Sequence, residues 1–282
     1  MKDYLINKIT EFIMDNGDSY FDFLDGAAYK KPLIKFASAK DPIFGDFKEI
    51  IGEFHLTPKE VFEMSHGEGT FENGSVISIA LPYSDEVIES NRNRDWPSEK
   101  WTLMRTFGID DFGILISNYI KEILTKKGYR AVNPCTEKYH GKVMSETGPS
   151  SNWSQRHIAY ATGMGTFSLN AGFITEKGIA VTLFSIVTDL VVKSDDRTAK
   201  NHTDNCLFFH KGKCKKCIKK CPANALSENG IDKEKCFNMG YGEKAQNYAK
   251  SVGANPNSGS GCGLCQVGVP CESQNPTKPK IK

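Results

Sequence analysis

Apolar residues recur at helical spacing twice in the first half of the chain. Residues 3–16 place Leu5, Ile9, Phe12 and Ile13 on one face, and residues 112–124 do the same with Phe112, Leu115, Ile116, Tyr119, Ile120 and Ile123. Each stripe predicts a helix packed along one side. Residues 75–81 alternate and then meet Pro82, the pattern of a strand running into a loop, and residues 129–133, ended by Pro134, predict another. Asn152, with Gln155 three positions on, resembles a capping box that opens a short helix to Thr162, closed by Gly163. Residues 167–174 and 178–192, rich in Phe, Ile, Val and Thr and joined through Glu176-Lys177-Gly178, predict a β-hairpin. The first two thirds therefore mix helix and strand.

Near Lys193 the composition turns polar, which predicts a boundary. Residues 1–192 then form an α/β domain, 193–272 a second domain, and 273–282 a frayed tail. The Gly-, Asn- and Ser-rich residues 253–261 read as a spacer.

With 282 residues, 39% apolar and 25% charged, the chain can bury one large core or two smaller ones. Lys plus Arg (36) almost balance Asp plus Glu (34), and a net charge of +2 offers no global field to a polyanion. The N-terminal twenty residues lack the apolar core of a signal peptide and a twin arginine, and no segment runs 18 apolar residues. A cytoplasmic protein without membrane contact is expected.

Nine cysteines without a secretion signal are not expected to form a disulfide framework. Cys135 stands alone and reads as an inert small hydrophobe, whereas Cys206, Cys214, Cys217, Cys221, Cys236, Cys262, Cys265 and Cys271 fall in the last third. Cys214-x-x-Cys217-x-x-x-Cys221-Pro222 is most of the bacterial ferredoxin run, in which the cysteine before proline ligates the other cluster. Regular spacing would put the first ligand at Lys211, which cannot bind iron, so Cys206 must reach in across a longer loop. The crossed rule assigns one 4Fe-4S cluster to Cys206, Cys214, Cys217 and Cys271, and a second to Cys221, Cys236, Cys262 and Cys265. Two zinc sites of four cysteines would also use paired Cys-x-x-Cys spacing, but the Cys-x-x-x-Cys-Pro half and the interleaved fourth ligand favour clusters. Lys213, Lys215, Lys216, Lys219 and Lys220 surround this run, either as a solvated face or as a docking patch for a low-potential electron donor such as flavodoxin or ferredoxin. Two clusters form an electron relay, so the preceding domain is expected to hold the acceptor.

The stretch from Ser151 to Asn170, with its Gly163-Met164-Gly165 loop, followed by the cysteine run, resembles the epoxyqueuosine reductase family, with the reductive dehalogenases as more distant relatives. A strand at residues 76–82, Arg94-Asp95-Trp96, and an acid-Thr-small-Pro motif at Glu146-Thr147-Gly148-Pro149 appear in the family order between about residues 75 and 271. The resemblance implies an α+β fold: a nitroreductase-like α/β domain followed by a two-cluster ferredoxin-like domain. It also implies a base-off cobalamin held between them and reduced through the clusters to a nucleophilic cobalt(I). Trp153, Ser154, His157, Gly163, Gly165, Thr166, Ser168 and Asn170 are the implied cofactor contacts. The residues alone say that Gly163 and Gly165 let backbone approach a bulky ligand, while Thr166, Ser168 and Asn170 offer polar partners.

The family motif carries Asp where this chain has Glu146, the implied proton donor, whose carboxyl pKa would rise in a closed pocket. Residues 133–145 precede it as an extra segment. Tyr139, His140, Arg156 and His157 are the other polar groups within reach, and Tyr139 joins Glu146 as a catalytic candidate. The family continues beyond the clusters with helical repeats that help grip tRNA, whereas this chain stops eleven residues after Cys271. Together with the near-neutral charge, this makes the expected substrate a small organic molecule and tRNA unlikely. The epoxyqueuosine reductase reaction on tRNA is the second reading. An electron-transfer protein that feeds a partner enzyme and a flavin-binding version of the first domain stay open.

Overall fold

The computed structural model describes residues 1–146 and 148–278. Helix α1 (Lys2–Tyr20) buries Leu5, Ile9 and Ile13, and Phe12 stacks on Tyr119 with ring centroids 4.0 Å apart. Strand β1 (Leu33–Ser38) leads into α2 (Ile43–Ile51) and α3 (Pro58–His66). A complete capping box opens α3: Thr57 Oγ1 accepts from the Glu60 N–H, and the Glu60 carboxylate accepts from the Thr57 N–H. Then follow β2 (Ser75–Pro82), α4 (Asp85–Ser90), α5 (Glu99–Leu103), a π-helical segment (Met104–Asp111) and α6 (Phe112–Thr125). Past β3 (Ala131–Val132), strands β4 (Lys142–Ser145) and β5 (Gly148–Ser151) pair as a hairpin. Helix α7 (Gln155–Ala161), the short strands β6 (Gly165–Phe167) and β7 (Phe173–Thr175), and β8 (Val181–Thr188) complete this part.

The main sheet is antiparallel with order β1-β2-β8-β3. All eight residues of β2 are buried, because helices cover both faces. Phe36, Ile77, Ile79, Phe184 and Ile186 meet α1 and α6 on one side; Val76, Val132 and Val187 meet α2, α3 and α7 on the other. The result is helix and sheet in three layers around two apolar clusters, a mixed architecture as expected.

Four local expectations differ from the structure. Leu115 is 38% exposed while Leu124 is fully buried, since the core stripe of α6 runs through Phe112, Ile116, Ile120 and Ile123 and leaves Leu115 on its flank. Strand β3 shrinks to two residues. The Thr175–Gly178 turn forms, with Thr175 N–H bonded to the Gly178 carbonyl at 3.0 Å, yet β7 pairs back onto β6 and β8 leaves for the centre of the sheet. Apolar on both faces, β8 is stabilised more by an interior position than by its neighbour in sequence. Ser154, not Asn152, takes the cap position of α7. The Asn152 side chain instead accepts from Gly141 N–H and donates to the Tyr139 carbonyl.

The polar residues after β8 are strapped along β1: the Phe36 N–H donates to Asp195 Oδ2 at 2.9 Å, and the Asp195 N–H to the Phe36 carbonyl at 2.8 Å. Beyond them lie α8 (Leu207–Lys211), α9 (Lys216–Lys219), the small hairpin β9 (Leu226–Ser227) and β10 (Gly230–Ile231), α10 (Lys233–Tyr241) and α11 (Glu243–Ser251). Residues 253–261 are no loose spacer. Asn255 N–H donates to Thr106 Oγ1 at 2.8 Å, and Ser258 Oγ bonds the Asp110 carboxylate. In the tail, buried Asn275 donates to Asn205 Oδ1 at 2.8 Å, and residues 279–282 lie outside the described residues. Among the described residues no helix is long and apolar enough to cross a membrane.

Candidate functional site: two cysteine groups and the cleft beside them

Eight of the nine cysteines gather into two neighbouring groups. Cys206 sits at the start of α8, Cys217 lies in α9, and Cys214 and Cys271 flank them; these four line one small cavity of about 20 Å³ with Leu169 and Val269. The Cys217 and Cys271 thiols lie within electrostatic reach of each other and of Cys206 and Cys214. Cys262 likewise senses Cys236 and Cys221, and Cys265 senses Cys262 and Cys236. Cys265 also senses Cys217, so the groups adjoin. Among the described residues no three His, Cys, Asp or Glu side chains lie close enough to share one metal ion; the first four thiols surround a cavity.

Burial pushes the Cys217 and Cys262 thiols up to about 11, and neighbouring thiols add to the effect. Burial raises Cys265 and Cys271 further. Metal binding here must displace these protons. The Ala225 N–H points at Cys221 Sγ at 3.3 Å, the kind of bond that tunes a thiolate-bound cluster. Cys135 lies apart against the core beside α2 and α3, where burial pushes its thiol up to about 11 and Gln155 Nε2 bonds its sulfur at 3.1 Å.

Three side chains from the first part grip the Cys262–Cys265 turn through its carbonyls. Asn91 Nδ2 donates to Cys262 at 3.0 Å, Trp101 Nε1 to Gly261 at 3.1 Å, and Asn170 Nδ2 to Cys265 at 3.0 Å. Arg92 pairs with Glu272, next to Cys271, and the Ile179 N–H donates to the Cys271 carbonyl at 2.8 Å. Apart from Asn170, none of these residues stood out in the sequence. They are single polar or aromatic side chains in loops and short helices, and no spacing marks them. The Arg94-Asp95-Trp96 motif lies nearby on α11, with Trp96 edge-on to Tyr248 and under the Lys244 ammonium.

The sequence-derived cofactor residues form the wall behind this junction. Trp153 is 1% exposed and donates its indole N–H to Ser185 Oγ at 2.9 Å. Ser154 Oγ bonds His157 Nδ1 at 2.8 Å; burial and the neighbouring Arg156 push His157 down to about 3, so it stays neutral. Thr166 accepts from Asn205 N–H, Ser168 bonds Asn170 and the Gly172 carbonyl, and Asn170 reaches Cys265. The close approach that demands glycine is to the chain itself. A Cβ on Gly163 would stand 2.4 Å from the Asp196 carbonyl oxygen, and one on Gly165 2.2 Å from that of Ile174.

Glu146 is exposed at the tip of the β4–β5 hairpin, not enclosed in a pocket, and Thr147 of its motif lies outside the described residues. The hairpin stands on α10: a Cβ on Gly148 would lie 3.2 Å from Lys233 Cβ, and Lys142 reaches over the Phe237 and Tyr241 rings. Tyr139 turns away, its hydroxyl donating to the Val61 carbonyl at 3.0 Å and meeting Ser65 Oγ at 3.1 Å, with its pKa pushed up to about 12 by burial. It pins α3. Arg156 is exposed, donates to the Ala171 carbonyl, and lies in electrostatic reach of Cys236, Tyr241 and Lys233. Arg156, Lys233 and Tyr241 thus lie together between the start of α7, the hairpin and the second cysteine group.

No protein-family model and no curated protein matches this sequence. The fold does match solved structures. A Bacillus subtilis epoxyqueuosine reductase, solved with its catalytic loop swung out of the active site, matches at TM-score 0.52 and 17% identity over 98% of this chain and 69% of that one. A selenomethionine-labelled epoxyqueuosine reductase matches at TM-score 0.50 and 18% identity over 95% of this chain and 66% of that one. A third, holding a tRNA-Tyr epoxyqueuosine-modified stem loop, has TM-score 0.49 and 18% identity over 95% of this chain and 66% of that one. The chain therefore has the epoxyqueuosine reductase fold and spans about two thirds of the length of these structures. These matches correct two expectations from the sequence, the small organic substrate and the setting aside of tRNA, in that the solved structures sharing the fold are epoxyqueuosine reductases, the second reading. Net charge sums over the whole surface and says little about one face.

Proposed function

We propose that this chain is an iron-sulfur oxidoreductase of the epoxyqueuosine reductase type, which reduces an epoxide on a tRNA-borne nucleoside. The observation that carries the reading is the gathering of eight cysteines into two adjoining groups of four, in the crossed order of a two-cluster ferredoxin, within this fold. On this reading residues 1–192 are a nitroreductase-like domain and residues 193–272 a ferredoxin-like one. Thiols that surround a cavity, with backbone N–H donors near the sulfurs, suit a polynuclear 4Fe-4S cluster.

For cobalamin, the residues that would hold it are Arg156, Lys233 and Tyr241, beside the second group. When bound there, cobalamin would supply a redox-active cobalt close to the cysteines that feed it. The residues named for it from the sequence support the reading from behind, because Ser154, Thr166, Ser168 and Asn170 already spend their polar atoms holding the wall rigid. His157, neutral and engaged at Nδ1, is a packed neighbour.

Removing an epoxide oxygen as water consumes two electrons and two protons. Glu146, exposed on a hairpin that stands on α10 beside the second group, is the residue to deliver a proton once the hairpin closes. The swung-out catalytic loop of the Bacillus subtilis enzyme fits such a movement.

The test is anaerobic reconstitution with iron, sulfide and cobalamin, metal counting, and incubation with an epoxyqueuosine-bearing tRNA stem loop under a low-potential reductant. About eight irons and one cobalt per chain, with mass-spectrometric loss of one oxygen from the nucleoside, are expected. A fully loaded chain that leaves the nucleoside untouched would overturn the assignment.

A further inference from the structure

Residues 211–220 hold six lysines and no acidic residue. Lys211, Lys213, Lys215, Lys216 and Lys219 are all exposed on α8, α9 and the loop between them. Among the described ion pairs only Lys215 has an acidic partner, Glu228. Such a density of uncompensated charge costs folding energy through self-repulsion, and nothing in the packing of α8 or α9 requires it.

The patch has an apolar centre. Phe209 is 50% exposed and meets Phe208 edge-on at 5.2 Å, and Phe208 packs in one cluster with Cys206, Cys217 and Cys271. Exposed lysines and an exposed aromatic ring therefore share the two short helices that carry Cys206 and Cys217 of the first group. The Glu146 hairpin and Arg156 stand instead beside α10 and the second group.

We propose that this lysine rim is the docking surface for a small acidic electron-carrier protein. The inference rests on the reading of the cysteine groups as clusters and adds where the electrons arrive. Positive charge around the first group steers a carrier whose acidic face surrounds its own cofactor, and the Phe209 ring gives the dry contact at the centre. Each encounter moves one electron: the carrier loses it and the first cluster gains it, with no bond made or broken. Two encounters supply the pair that the reaction consumes. Because carrier and nucleoside would occupy different groups, the substrate need not leave between them. An RNA on this rim would lie over the wrong group.

The variant Lys213→Glu, Lys216→Glu, Lys219→Glu tests this, since all three are exposed and none lines the cavity of the first group. Reduction by a reduced flavodoxin at low salt, followed by stopped-flow bleaching of the cluster absorbance, should slow about ten-fold or more and lose its salt dependence. Reduction by dithionite and the iron count should stay as in the parent chain. Titration of flavodoxin against both chains reads docking without reference to clusters, so a chain that binds the carrier but holds no iron would sink the proposed function and leave the docking surface standing. Unchanged carrier binding and unchanged flavodoxin-driven rates would overturn the docking proposal. So would a loss of tRNA stem-loop binding alone, which would make the rim an RNA surface.

Discussion

Asn170 donates its side-chain amide to the carbonyl of Cys265 at 3.0 Å, 95 positions away in the chain, while its own oxygen accepts the Gly172 N–H at 3.0 Å. One residue thus ties the loop after the Gly163 turn to the Cys262–Cys265 turn. A short, buried, doubly bonded side chain of this kind transmits position, because both of its ends are held.

Replacing Asn170 with Ala should therefore loosen the second cysteine group selectively. The Cys265 carbonyl is left without its donor, at about 1–3 kcal/mol for a buried unsatisfied group. Iron counting after mild chelation should show about four of about eight irons lost, with the parent chain retaining both sets. Equal retention would show that the bond has no part in holding the second set.

Cys206→Ala should abolish the other set. Cys206 lines the cavity with Cys214, Cys217 and Cys271, whereas Lys211, in the regular ligand position, is exposed at the end of α8. About four irons should remain, with the EPR signal of a single reduced cluster. Eight irons in this variant would refute the displaced-ligand assignment.

Arg105 should raise the potential of the second set. Its stem packs on Gly261, next to Cys262, its Nε finds no hydrogen-bond partner among the described residues, and the nearest carboxylate, Asp110, is 4.0 Å away and shared with Ser258. An incompletely neutralised cation stabilises the reduced, more negative cluster. In Arg105→Gln the second potential should fall while the first holds, by potentiometric EPR; Arg105→Lys should restore most of the difference.

Glu146→Gln should lower kcat by about 10²- to 10³-fold with little change in KM, as loss of a proton donor does. Glu146→Asp should recover part of the rate. Because the residue is exposed, Tm should stay put in both variants, which separates a chemical role from a structural one.

His55 and His157 should make the fold acid-sensitive. Burial pushes His55 from 6.5 down to about 4 and His157 to about 3, so both are neutral in the folded chain and protonate first in the unfolded one. The unfolded state then binds more protons below pH 6.5, and stability falls as pH drops from 6.5 towards 4. His55 alone accounts for about 2 kcal/mol at pH 5. Chemical denaturation of His55→Gln at pH 7 and pH 5 should show a smaller difference than the parent; an equal one would remove His55 from the acid response.

Much of this molecule was readable from local order. The periodicity of residues 3–16 and 112–124 located α1 and α6, because a buried stripe repeats every 3.6 residues wherever the helix goes. The cysteine spacing was readable for the same reason: Cys214, Cys217 and Cys221 are set by the turn of α9 and its flanks, and ligand distance there is a local quantity.

What failed was local pattern standing in for long-range choice. The strands about Glu176-Lys177-Gly178 looked like a hairpin, but β8 found a better-buried partner in β2. The polar atoms of Thr166 and Asn170 looked available to a ligand, but residues far along the chain bond them, and Ser168 is bonded within its own loop. The near-zero net charge gave no hint of one basic face, since a sum carries no position, whereas the run of lysines around Cys214 and Cys217 was plain in the sequence.

By itself the sequence determined the elements, the eight ligand candidates and the type of chemistry they suit, because each depends on neighbours within a few residues. Only the tertiary structure decided that Cys206 lines the cavity and that Asn91, Trp101 and Asn170 hold the Cys262–Cys265 turn. It also placed Glu146 on an exposed hairpin over α10. Those are distances between segments up to 171 residues apart, fixed when the burial of two apolar clusters brings the segments together, and no local pattern encodes them.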